Sequence, residues 1–283
     1  RWAPRSPESI VREIEQLDAD LIFFVDDVFT HQPDRVAEIC DLLIAKKIRR
    51  NYIVNARLEI AKRPDVLRKM EQAGFVSLLI GVESTQDATL KSMGKGFNIE
   101  RVRERFEVLR KSKMVINAYF IVGNIGETEE QMLSTAKFAR SLGVDLIHVS
   151  RLRSEPYSGL SELVEQTPGY RIDPKGFVYS DEYSAEHIAN LRKRIDREFY
   201  SPLHVARIVV KLYRIMHWRV KAKVVLNAPL FLARVVGTQL IRKVGKRFGK
   251  RSPAASPPVT PAHGPPAPHA PGLRKSDRIG PIR

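Results

Sequence analysis

The chain has 283 residues, 43% of them hydrophobic, enough to bury a sizeable core, and a formal net charge of +16. Residues 187–283 hold 21 of the 48 Lys and Arg but only 3 of the 32 acids, so the basicity belongs to the second part and does not mark the first as a nucleic-acid binder. The single cysteine, Cys40, excludes an internal disulfide and a multi-thiolate metal site built from this sequence alone.

Ser6 and Pro7 predict a helix start, as N-cap and first helical residue, with Ile10, Val11, Ile14 and Leu17 on one apolar face. The strand LIFFV follows at 21–25, then a helix begun at Pro33 with Val36, Ile39, Cys40 and Leu43 on one side. The rhythm repeats with YIVNA at 52–56, a helix from Pro64, SLLIGV at 77–82, a helix over 98–112 and NAYFIVG at 117–123. Thr128 and Gln131 form a capping box for the next helix, and LIHVS at 146–150 completes the series. This alternation predicts an α/β fold with a parallel sheet.

Polar residues close each strand: Asp26 and Asp27, then Arg57, Glu83 and Ser84, Gly123 and Asn124, and Arg151. Singly, each has an ordinary explanation as a helix cap, a loop residue or half of an ion pair. Their recurrence at intervals of about one β/α unit points to a shared mouth, because the parallel strands of a β/α barrel end on the same face. Cys40, in mid-helix beside Val36 and Leu43, reads as a small buried hydrophobe. GKG at 94–96 lacks both the preceding strand and the Lys-Ser/Thr ending of a phosphate loop, and reads as a helix-entry loop.

Residues 151–186 are rich in turn formers and aromatics; they either cover the mouth, with Tyr157, Tyr170 and Tyr179 as contacts, or serve as irregular packing. Helical patterning returns from Ala185, and residues 203–251 mix Lys and Arg with large apolar residues and contain no acid. That composition suits an interfacial helix on anionic lipid, an RNA-binding patch, or helices packed on the barrel with solvated basic faces. RNA fits less well, since no aromatic stacking platform accompanies the charges. VVLNAPLFLA at 224–233 is too short to span a bilayer, which takes about 20 residues; the single cysteine makes the expected location a reducing cytoplasm, with or without membrane association. The Pro-rich stretch 252–283 predicts a disordered tail.

The stretches FFVDDVFT (23–30), LLIGVEST (78–85) and YFIVGNIGETEEQM (119–132) together resemble the radical S-adenosylmethionine (SAM) enzymes. Within them the likeness is to the cobalamin-dependent branch that includes anaerobic magnesium-protoporphyrin ester cyclases and hopanoid methylases. The resemblance covers about residues 1–160 and implies a partial TIM-type (β/α)6 barrel whose first strand would precede Arg1, the chain being read as a fragment. A barrel-covering segment and helix (161–202), a basic helical extension (203–251) and the tail (252–283) would follow.

The resemblance implies that Asp26 and Asp27 face the methionine moiety of SAM and that Arg57 answers its carboxylate or a substrate acid. It sets Glu83 and Ser84 near SAM's polar groups and ribose, and Val122, Gly123 and Asn124 on the strand whose backbone lies against adenine. His148 and Arg151 would line the same cavity. The cofactors implied are SAM and, in the parent protein, a [4Fe-4S] cluster and cobalamin. Three closely spaced cysteines hold that cluster in the family, and this sequence lacks them. The expectation is therefore a SAM-binding core, inactive alone, whose parent makes a 5′-deoxyadenosyl radical for methylation or cyclisation of an unactivated carbon. The partners expected are a small-molecule substrate, lipid or isoprenoid among the choices, and an anionic membrane surface through 203–251. Two other readings stay open: a non-redox β/α-barrel lyase or hydrolase using Asp26, Asp27 and Glu83, and a basic adaptor for membrane or RNA.

Overall fold

Ser6 begins the first helix as its sequence predicts: its hydroxyl accepts from the Ser9 N–H at 3.2 Å and Pro7 stands at the first helical position of α1, Pro7–Gln16. The computed structural model describes residues 4–222 other than Tyr157 and Trp218. Contacts group Arg1–Ala228 as one unit and Pro229–Arg283 as another. The second unit, with the predicted Pro-rich tail and the basic extension beyond residue 222, lies outside the described residues, as does Tyr157.

Strand and helix then alternate: β1 (Leu21–Phe24), α2 (Pro33–Ala45), β2 (Asn51–Ala56), α3 (Pro64–Ala73), β3 (Phe75–Glu83), α4 (Asp87–Ser92) and α5 (Ile99–Leu109). They continue through β4 (Val115–Val122), α6 (Glu129–Leu142), whose Thr128–Gln131 capping box forms as expected, and β5 (Leu146–Arg151). The five strands make one parallel sheet in the order β1-β2-β3-β4-β5, so β1 and β5 are its edges and the described strands do not close a barrel. β1 is one residue shorter than LIFFV: it pairs with β2 alone, and Val25 is 82% exposed.

The strands' alternation divides the sheet into two faces. Tyr52, Val54, Leu78, Ile80, Ala118, Phe120 and Val122 join Val36, Ile39, Leu43, Val102 and Phe106 of the helices in one apolar core. Each large side chain buried there contributes about 1.5–3 kcal/mol. Ile53, Asn55, Leu79, Gly81, Asn117 and Tyr119 point to the other face and are only half-buried.

Past β5 the chain is more regular than its composition suggests. Residues 151–186 contain α7 (Leu160–Glu165) and an antiparallel hairpin of β6 (Tyr170–Ile172) with β7 (Val178–Ser180). α8 (Ala185–Phe199) packs on α6 and β5, burying Ile188, Leu191, Ile195 and Phe199. α9 (Pro202–Ile215) seats at the N-terminal ends of the strands, where Lys211 pairs with Asp145 at 2.6 Å and His204 Nε2 lies 2.9 Å from the Asp145 carbonyl. No helix among the described residues is long and apolar enough to cross a membrane.

Candidate active site

The C-terminal part of β3 is distorted. Its register with β4 slips between Gly81 and Glu83, and Glu83 takes a left-handed φ of +74°. For a residue other than glycine this conformation costs on the order of 1–3 kcal/mol, and such strain is held where neighbours impose it. Here the distortion turns the Glu83 carboxylate back over Gly81, where a Cβ would collide with Oε1. Lys95 Nζ donates to the same Oε1 at 2.9 Å. With side chains 17% and 30% exposed, Glu83 and Lys95 form a pair partly withdrawn from water.

Beside this pair come the ends of β2, which is paired with β3, and of β1. Asn55 Nδ2 donates to the Asp26 carbonyl at 3.0 Å and so ties the turn after β1 to β2. The backbone N–H of Arg57 donates to Thr30 Oγ1 at 2.9 Å, fixing the start of the short 3-10 helix Leu58–Lys62 and leaving the guanidinium exposed. Asp27, Asn55, Arg57, Glu83, Lys95 and Tyr119 line one cavity of about 590 Å³, with Leu58, Met93 and Phe97 as apolar wall. Both signs of charge meet in it.

The other residues singled out in the sequence are placed differently. Asp26 borders a separate groove with Pro4, Ile22 and Phe24. Ser84 is buried and accepts from the Gln86 N–H, and Val122 belongs to the core. Gly123, at φ +79°, has Ile188 of α8 3.1 Å from where its Cβ would be, so a larger residue would have to push that side chain back slightly and bear the left-handed φ. Asn124 is clasped by Glu127, whose Oε2 accepts from both its backbone N–H (2.9 Å) and its side-chain amide (3.1 Å). Burial pushes the Glu127 carboxyl up from its ordinary value, opposed by these donors. His148 is exposed on the open face beside Tyr119, with ring centroids 5.0 Å apart. Arg151 lies 3.6 Å over the Phe177 ring and donates to the Ala185 carbonyl, which fastens the hairpin and α8 to β5.

The structure thus gathers Asp27, Arg57 and Glu83, leaves His148 next to the Tyr119 wall, and holds Ser84, Asn124 and Arg151 in internal bonds. Asn55, Lys95 and Tyr119 were not singled out in the sequence. Period-two alternation could have found the two strand residues, since both fall on the half-buried face. A larger groove of about 770 Å³ lies along α9. It contains no acid and sits at the opposite end of the strands, so the polar cavity at their C-terminal ends is the candidate for chemistry.

A comparison with protein families matches residues 1–139 to the radical SAM superfamily. This part of the chain belongs to that superfamily. The radical SAM relatives include the anaerobic magnesium-protoporphyrin IX monomethyl ester cyclase of Rubrivivax gelatinosus, 28% identical over 62% of this chain and 32% of its own length. The hopanoid C-2 methylase of Rhodopseudomonas palustris (strain TIE-1) is 23% identical over 57% of this chain and 32% of its own. The chain therefore spans about a third of the length of these curated relatives. Among solved structures, the radical SAM methyltransferase TsrM from Kitasatospora setae, with cobalamin and a [4Fe-4S] cluster bound, superposes with a TM-score of 0.54 at 16% identity. It covers 77% of this chain and 48% of TsrM.

The radical SAM cofactors can be tested against the residues present. SAM carries an ammonium, a carboxylate, a sulfonium and a ribose diol, and the cavity offers carboxylates and a guanidinium to such a ligand. An iron–sulfur cluster does not fit this chain. Cys40 is fully buried, burial pushes its thiol up to about 12, and no metal-ligating group of His, Cys, Asp and Glu occurs among the described residues.

Proposed function

We propose that the cavity binds SAM and that the chain is the SAM-holding part of a cobalamin-linked radical SAM enzyme. The reaction class is methylation or ring formation at an unactivated carbon of a small-molecule substrate. The five-stranded sheet fits five of the six units of a partial barrel formed by residues 1–160, with 161–202 covering it. The whole enzyme would supply the cluster thiolates and the cobalamin, and this chain alone would be inactive without them.

One observation carries the reading: a strained Glu83, steered over Gly81 and held by Lys95, lines a single cavity together with Asp27 and Arg57. In it, Asp27 would pair with the ammonium and Arg57 with the carboxylate of the methionine moiety, where a planar guanidinium offers two parallel donors. The Glu83 carboxylate would accept from the ribose hydroxyls, with Lys95 fixing its orientation. Tyr119 and Asn55 line the same cavity. Bound SAM would supply the radical chemistry, and the protein's share would be positioning it.

Calorimetric titration of the full chain with SAM and with S-adenosylhomocysteine tests this. Saturable binding is expected, weakened about fivefold or more by Asp27→Asn and by Arg57→Ala. Absence of saturable binding, or variants that bind like the parent, would sink the assignment. Anaerobic incubation with iron and sulfide is expected to leave the chain without a four-iron cluster. Cluster formation with release of 5′-deoxyadenosine would refute inactivity alone.

A further inference from the structure

The end of the sheet away from the cavity is built for a different contact. α9 turns Ile208, His204 and Lys211 inward, the last two onto Asp145, and carries on its outer side an unusual mixture. Leu203 is 63% exposed, Val209 59% and Tyr213 54%, with Val205 and Val210 also exposed. At 100° per residue Leu203, Val210, Arg207 and Arg214 share one side of the helix, Tyr213 and Val209 follow about 60° and about 100° further round the exposed arc, and Val205 lies at its far edge. A groove of about 770 Å³ runs between this helix and Lys113, with an apolar floor and a basic rim. The side-chain cations of Lys113, Arg207 and Arg214 have no acidic partner among the described residues.

An occupant must supply apolar area and negative charge together. The chain's own sequence from 223 to 251 contains no acid and adds further Lys and Arg, so it cannot neutralise the rim. A second copy would bring the same cations against themselves. Nucleic acid would neutralise the charges but leave the row of valines and Leu203 without a match. A bilayer containing anionic phospholipid offers both.

We propose that α9 docks the protein on an anionic phospholipid bilayer. Leu203, Val209, Val210 and Tyr213 enter the headgroup boundary, and Lys113, Arg207 and Arg214 meet the phosphates. Because α9 sits at the N-terminal ends of the strands and the candidate cavity at their C-terminal ends, docking holds the protein at the membrane with its mouth turned away. The contact recruits the protein; it does not feed lipid into the cavity.

The full chain is tested by sedimentation with unilamellar vesicles of phosphatidylcholine, alone or with about one-third phosphatidylglycerol. Partitioning is expected to be about tenfold stronger on the anionic vesicles and to weaken as salt rises. The pairs Arg207→Glu with Arg214→Glu, and Val209→Ser with Val210→Ser, are each expected to lower it about fivefold, with the parent's thermal midpoint retained. Equal partitioning on both vesicles would overturn the proposal. So would undiminished binding by both pairs, which would assign the effect to the sequence beyond residue 222, or displacement of the vesicles by RNA at equal phosphate.

Discussion

The carboxylate of Glu83 occupies the space that a side chain at Gly81 would need. The φ of Gly81 is not left-handed, so alanine is acceptable to the backbone there, and what must yield is the flexible end of Glu83. Gly81→Ala is therefore expected to cost the fold no more than about 1 kcal/mol. SAM binding should weaken about tenfold, because the carboxylate leaves Lys95 and the cavity wall. Thermal melts and calorimetry on the same preparation separate the two effects. A lowered melting point with unchanged binding would make Gly81 a purely structural residue.

Strain at Glu83 gives a second test that needs no ligand. Alanine at this position keeps the left-handed φ and its cost, whereas glycine removes it. Glu83→Gly is expected to be more stable than Glu83→Ala by about 1 kcal/mol in denaturant unfolding, although both lose the pair with Lys95. Neither variant should bind SAM. Equal stabilities would mean that the strand end relaxes and that Glu83 is not held in a strained state.

What the sequence disclosed was mostly local. Ser6 with Pro7, and Thr128 with Gln131, act within one helical turn, so their spacing is enough to place α1 and α6. The phase of Asp27, Arg57 and Glu83 was legible because each lies at or shortly past the C-terminal end of a strand and parallel strands end together. Lys95 was dismissed with its GKG loop, since its role depends on a carboxylate twelve residues earlier that a β-bulge turns toward it. Arg151 looked like a lining residue, but its fastening over Phe177 is a tertiary contact with a hairpin that turn-rich composition did not reveal. Gly123 looked free for a ligand, and Ile188, sixty-five positions later, packs against it.

Glu127 links the turn after β4 to solvent pH. Burial holds its folded pKa above the ordinary value of 4.5, so the folded state binds this proton more tightly than the unfolded chain. Its contribution to stability is fully present below pH 4.5 and is lost as pH rises through the raised folded value. Glu127→Gln can still accept from the Asn124 N–H but does not titrate. The stability of the parent relative to this variant is expected to fall between acid and neutral pH, read from urea midpoints at each pH. A constant or rising difference would show that the Asn124 and Gly123 donors outweigh burial.

Cys40 is the one thiol available to this chain, and its surroundings keep it from acting as a thiolate. It is fully buried on the core side of α2, and burial first, with Asp41 second, pushes its thiol up to about 12. At pH 8 the thiolate is then only about one part in ten thousand. Alkylation by iodoacetamide is expected to be about a thousandfold slower in the native chain than in urea, and to follow the rate of unfolding. The same burial bars the sulfur from iron, because a ligand must be both deprotonated and reachable. Rapid alkylation of the native chain, with its thermal midpoint intact, would show an accessible thiol and reopen the possibility of metal chemistry at α2.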